Sequence, residues 1–181
     1  MTVTVEQDDH VRGSGPVTIF VYGDYECPYT RALELVILQL RTRHEISFRY
    51  VYRYFPLREI HPHAEIAAEA AEAVSALGGP DAFWRMHDAL FADQDHLERE
   101  DLVQRAINAG VNERAFRLAL QTRQFAGRVQ RDVQSGIANG VEGTPSIFIN
   151  GERYRGRRVS GIVRENRIEW NFGRQRGPTL D

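Results

Sequence analysis

An apolar run, Val17-Thr18-Ile19-Phe20-Val21-Tyr22, has the composition of a buried strand, and Leu33, Val36, Ile37 and Leu40 recur behind it at helical spacing. Gly23-Asp24-Tyr25-Glu26-Cys27-Pro28-Tyr29-Thr30 joins the two. This handover from strand to helix limits the chain more than any other feature. A second strand pattern follows at Ile46-Ser47-Phe48-Arg49-Tyr50-Val51-Tyr52, where Ile46, Phe48, Tyr50 and Tyr52 alternate with their neighbours. A strand, a helix and a strand over this length predict a parallel pair with the helix packed on one face.

The handover also holds the only cysteine of the 181 residues. Pro28 suits the first helical position, where its missing N–H costs nothing. A helix start presents unpaired N–H groups and the positive end of a dipole, and both favour a thiolate. A lone cysteine on its own reads as a small buried hydrophobe. Polar and turn-forming flanks, a place at a helix start, and a Cys-Pro-Tyr-Thr phrase like a Cys-x-x-Cys motif lacking its second sulfur point to a reactive thiol.

From Pro62 to Gly140 the pattern is helical. Residues 63–77 are Ala-rich; Phe83, Met86, His87 and Leu90 mark a second helix; Leu102, Val103, Ala106 and Ile107 a third, closed by Gly110. Asn112 caps a fourth, and Phe125, Val129, Val133 and Ile137 step along a fifth. These aromatic and aliphatic stripes are read as core. Val141-Glu142-Gly143-Thr144-Pro145 then leads into Ser146-Ile147-Phe148-Ile149, and Asn150-Gly151 signals a two-residue hairpin.

Together these phrases resemble the DsbA-like branch of the thioredoxin superfamily over roughly residues 8–156. Asp8-Asp9-His10, the Cys-Pro-Tyr-Thr turn, His61-Pro62-His63-Ala64 and Gly143-Thr144-Pro145-Ser146 all carry the likeness. It implies an α/β thioredoxin-like fold with an inserted all-helical domain. The boundaries expected are 1–58 for the first part, 59–140 for the insertion and its return helix, and 141–181 for the second part. The resemblance matches Cys27 to the family's first active-site cysteine, Pro145 to its cis-proline and Thr144 to the residue before it. It implies that an extended substrate pairs with backbone beside Pro145, across a shallow cleft from the sulfur, with Pro28 and Tyr29 on the rim.

The departure from the family lies at Thr30, where the resolving cysteine would stand. A dithiol enzyme expels its product with that second sulfur. Cys27 performs only the first half, so transfer of an internal disulfide is excluded within this chain. The reading is a thiol-disulfide oxidoreductase working through Cys27, its mixed disulfide released by an external thiol. Two alternatives stay open: a non-catalytic peptide or partner-binding module, and a glutathione-dependent isomerase or transferase. Thr30 either turns its hydroxyl to the sulfur or fills the vacated space. Glu26 is a candidate for proton transfer. His61 and His63 suit helix-start packing, and without a cysteine cluster no metal is expected. No cofactor is expected, with glutathione as a possible co-substrate and a disulfide-containing protein as partner.

The 23 basic residues are all arginine. Residues 153–181 carry eight of them against Glu165, Glu169 and Asp181, which reads as a solvated tail, since no nucleic-acid motif accompanies them. No apolar run approaches the ~20 residues of a membrane span. Residues 1–16 have no signal-peptide pattern, and one cysteine asks for no oxidising compartment, so a cytoplasmic location is expected. In the tail, Val159, Ile162, Val163 and Ile168 suggest a short helix or irregular cover, with disorder near Gly177-Pro178.

Overall fold

The computed structural model describes residues 2–42 and 47–155, together with two short strands beyond them. The apolar run forms β2 (Val17–Gly23), buried along its whole length, and Phe48–Tyr54 forms β3. The two are parallel, with Ile19 opposite Tyr50 and Val21 opposite Tyr52, and α1 (Pro28–Thr42) is the crossover between them. Leu33, Ile37 and Leu40 are the buried stripe of α1.

Two further strands flank this pair. β4 (Ser146–Ile149) lies antiparallel to β2, and its partner β5 (Glu152–Arg153) returns through the Asn150-Gly151 turn. Both turn residues have positive φ, 50° and 87°, the geometry that lets a two-residue turn follow the twist of the strands. On the other side β1 (His10–Arg12) pairs antiparallel with β3, giving the order β1-β3-β2-β4-β5. β1 is unforeseen in the sequence, since three residues are too few to display an alternation.

The helical block lies between β3 and β4. It comprises α2 (Ala64–Ala92), α3 (Arg99–Asn108), α4 (Glu113–Gln121) and α5 (Ala126–Ala138). α2 leaves helical geometry once, at Gly79 (φ 80°), and Pro80 restarts it; a proline is tolerated there because its absent N–H is not missed. Asn112 caps α4 by accepting the Ala115 N–H at 3.0 Å. α1 and most of the helical block share one core with one sheet face, through Val21, Leu33, Tyr52, Ala70, Phe83 and Phe116. The smaller opposite core joins Val3, Phe20, Tyr22, Val51, Phe55, Val141 and Phe148.

Arg53 lies on the face of β3 that carries Val51, against the smaller core. It is 2% exposed, and its guanidinium takes the Asp9 carboxylate at 2.8 and 2.7 Å and the Thr4 carbonyl at 2.8 Å. Its remaining nitrogen donates to Tyr22 and Ser135. A charged residue is tolerated in a core when its fork of donors is filled in this way. Arg53 thereby ties the N-terminal segment, β2 and α5 to β3.

In the tail, Ile162–Arg164 (β6) pairs antiparallel with Arg167–Glu169 (β7). The expected short helix over Ile162, Val163 and Ile168 is thus replaced by a ribbon. Val159 and Gly177-Pro178 lie outside the described residues.

Four tyrosines, Tyr25, Tyr50, Tyr52 and Tyr54, are at most 1% exposed. Burial pushes their phenols well above the ordinary 10.0, and nearby acids such as Glu34 and Glu72 add to the effect. The folded chain therefore keeps these protons where the unfolded chain releases them. Stability is fully present below pH 10 and falls as pH rises beyond it, by up to about 1.4 kcal/mol per phenol per pH unit. Spectrophotometric titration at alkaline pH should show these four phenols ionising only together with unfolding.

Candidate active site

Cys27 stands immediately before α1 and acts as its N-cap. Its carbonyl accepts the Arg31 N–H at 3.1 Å, the first bond of the helix, and Pro28 occupies the first helical position. The sulfur faces the Gly143–Pro145 loop that precedes β4, where the Thr144–Pro145 peptide bond is cis. Among the described residues the sulfur's hydrogen-bond partner is the Thr144 carbonyl oxygen, at 3.5 Å. A carbonyl offers no hydrogen, so in this contact the sulfur is a thiol and donates. The hydroxyl of Thr144 is buried without a hydrogen-bond partner.

The turn that presents the thiol is built on Asp24, whose side chain is fully buried. One carboxylate oxygen accepts the Glu26 N–H at 2.8 Å. The other accepts the Leu57 N–H at 2.8 Å and lies 2.8 Å from His61 Nδ1. A carboxylate only accepts, so Nδ1 carries the hydrogen. The backbone carbonyl of Asp24 takes the Cys27 N–H at 3.1 Å. Glu26 has a parallel arrangement, with its oxygens on the His63 backbone N–H (2.7 Å) and His63 Nδ1 (3.1 Å). His63 is the N-cap of α2. Both histidines therefore dock the helical block onto the thiol turn.

Gln94, in the loop after α2, completes the grip. Its side-chain amide donates to the carbonyls of Tyr25 (2.7 Å) and Cys27 (3.0 Å). Tyr25 is held from beneath, its hydroxyl 3.1 Å from His87 Nδ1, and His87 Nε2 meets Glu34 at 3.3 Å. His87 is a core histidine with both nitrogens partnered.

Thr30 is fully buried one turn beyond Cys27. Its hydroxyl accepts the Asp24 N–H at 3.5 Å, and its methyl lies against the end of β2. Gly23 makes room there: a Cβ at Gly23 would come within 2.9 Å of that methyl and 2.5 Å of the Tyr52 ring. Tyr29 is 71% exposed beside the thiol. Of the residues singled out in the sequence, Cys27 meets Thr144, with Pro28 next to the first and the cis Pro145 next to the second. The parts played by Asp24, His61 and Gln94 are not legible in the sequence, because they depend on chain segments far away. The sulfur is less accessible than the expected shallow cleft implies: Cys27 is only 2% exposed.

A thioredoxin family model matches residues 6–163. The chain belongs to the thioredoxin family. Its fold is that of BdbD from Bacillus subtilis, with a TM-score of 0.71 and 23% identity, covering 82% of this chain and 84% of that one. The thiol-disulfide exchange protein α-DsbA2 from Wolbachia pipientis aligns at a TM-score of 0.69 and 21% identity, over 82% and 80% of the two chains. Helices inserted between β3 and β4 fit this DsbA-like form of the fold. In sequence the chain is 43% identical over 159 residues to the Na(+)/H(+) antiporter NhaA 3 of Salinispora tropica. That match takes in 86% of this chain and 24% of the antiporter, so this family member spans about a quarter of the curated relatives it matches. Among the described residues no helix is long and apolar enough to cross a membrane, and no group of three or more potential metal ligands occurs.

The Asp24→Ala variant strands the Glu26 and Leu57 N–H groups and the His61 donor. Each unsatisfied buried group costs about 1–3 kcal/mol, so a loss of at least ~3 kcal/mol in urea unfolding is expected. Gln94→Ala should cost less, about 1–2 kcal/mol, while raising the rate of Cys27 alkylation under native conditions.

Proposed function

We propose that this thioredoxin-family chain is a monothiol thiol-disulfide oxidoreductase of the DsbA type. The observation that carries the reading is the placement of the chain's single sulfur at the N-cap of α1, against the Thr144–Pro145 loop. Cys27, as thiolate, attacks one sulfur of a substrate disulfide and expels the other as a thiolate. An external thiol such as glutathione then attacks the mixed disulfide and frees Cys27. No net oxidation occurs within the chain, because each sulfur–sulfur bond formed replaces one broken. Pro28, Tyr29, Thr144 and Pro145 form the proposed substrate contact. Thr30 supports the turn one residue-triplet along, and Glu26 with His63 offers the proton route. With the thiol 2% exposed, exchange requires its cover to open, and the Gln94 grip is the connection that has to loosen.

The antiporter match favours a second statement about partners. A chain 43% identical to a quarter of a Na(+)/H(+) antiporter fits a module that acts on, or is attached to, an ion transporter. Its thiol chemistry would then operate at the cytoplasmic face, where glutathione is supplied and one cysteine needs no oxidising compartment.

The test is incubation of the native protein with oxidised glutathione, read by intact mass. One glutathione adduct, reversed by excess reduced glutathione and absent in Cys27→Ser, is expected. An adduct that forms only after denaturation would overturn the enzymatic reading and leave the binding module.

A further inference from the structure

A cavity of about 310 Å³ opens between α1 and the second half of α2, away from the thiol. Leu35, Leu38 and Phe91 line it, with Tyr50 and His87 also contributing and Arg41 among its charged residues. Leu35 and Leu38 are 55% and 52% exposed, large aliphatic side chains outside the buried stripe of Leu33, Ile37 and Leu40. Solvation of that surface is a standing cost that an apolar occupant would remove.

Among the described residues the charged side chains lining the cavity are hydrogen-bonded except for one. Arg12 makes two hydrogen bonds to Asp88, at 2.9 and 2.8 Å, and stacks on Trp84. Arg31 donates to the Ala92 carbonyl at 3.2 Å. Glu34 is occupied by Tyr50 and His87. Among the described residues Arg41 has no hydrogen bond or ion pair. Burial and the neighbouring Arg12 both press its pKa below the ordinary guanidinium value, a setting that a bound anion relieves. Asp88 and Glu34 attract the guanidinium at longer range, but Asp88 is held by Arg12 and Glu34 by Tyr50 and His87, so among the described residues no acceptor fills its own donors.

We propose that this cavity binds a small amphipathic anion, its carboxylate on Arg41 and its aliphatic body between Leu35, Leu38 and Phe91. At roughly 30 Å³ per water-sized heavy atom, the space holds about ten heavy atoms, the size of octanoate. A cationic ligand would meet Arg41 and Arg12, and a neutral one would bury Arg41 further without a partner. The site is separate from the thiol and does not rest on the oxidoreductase reading.

Isothermal titration of the full chain with octanoate tests it. Saturable one-to-one binding is expected, with octanol and octylamine weaker by about ten-fold or more, the worth of one charge-assisted hydrogen bond. Arg41→Gln should weaken octanoate by a similar factor while its thermal unfolding matches that of the parent chain, and Leu38→Asp should abolish binding. Equal affinity for octanol, unaltered affinity in Arg41→Gln, or no saturation would overturn the proposal. So would binding to phosphatidylglycerol vesicles without binding of free octanoate, which would make the same face a membrane contact.

Discussion

Asp24 is the point on which the candidate site depends. A carboxylate removed from water is stable only when its oxygens are filled, and here three donors from separate parts of the chain fill them. The Glu26 N–H belongs to the thiol turn, the Leu57 N–H to the loop after β3, and His61 to the approach to α2. One side chain thus joins the end of β2, the exit of β3 and the start of the helical block. The shape of the turn that ends in Cys27 follows from this junction.

The helical block gains its hold on the sheet from the same logic. Glu26 receives the backbone N–H of His63 at the start of α2, and Gln94 reaches back from the far end of α2 to the Tyr25 and Cys27 carbonyls. Polar groups at the ends of elements have to be satisfied somewhere, and in this fold they are satisfied by the other structural layer. The thiol turn is therefore held on both sides by the insertion. Beneath it, the buried chain Tyr25–His87–Glu34–Tyr50 continues the polar network into the core. Such networks are stabilising only when their members are paired, and each of these residues is. Arg53 plays the equivalent part at the opposite sheet face, holding Asp9 and the N-terminal segment.

A thiol that is nearly closed and donates to a backbone carbonyl differs from one that waits in an open cleft. The family fold brings the sulfur and the loop of Pro145 together, while the closeness of the fit limits access. Access to the Cys27 sulfur then depends on how readily the turn and its Gln94 contact yield. Local opening of this kind takes place at free energies well below global unfolding.

The residue pattern alone determined the strand–helix–strand opening, the five helical stretches, the Asn112 cap, the Asn150-Gly151 hairpin and the place of Cys27 at a helix start. These are local matters: periodicity, capping and turn chemistry act over a few residues and are written in consecutive positions. The tertiary structure alone decided what depends on distant segments. It brought Asp24 to His61 and Leu57, buried the charged Arg53 against Asp9, added β1 at the sheet edge, and closed the sulfur to 2% exposure. Burial and the pairing of buried polar groups arise from packing between layers, and no short stretch of sequence contains the partners that set them.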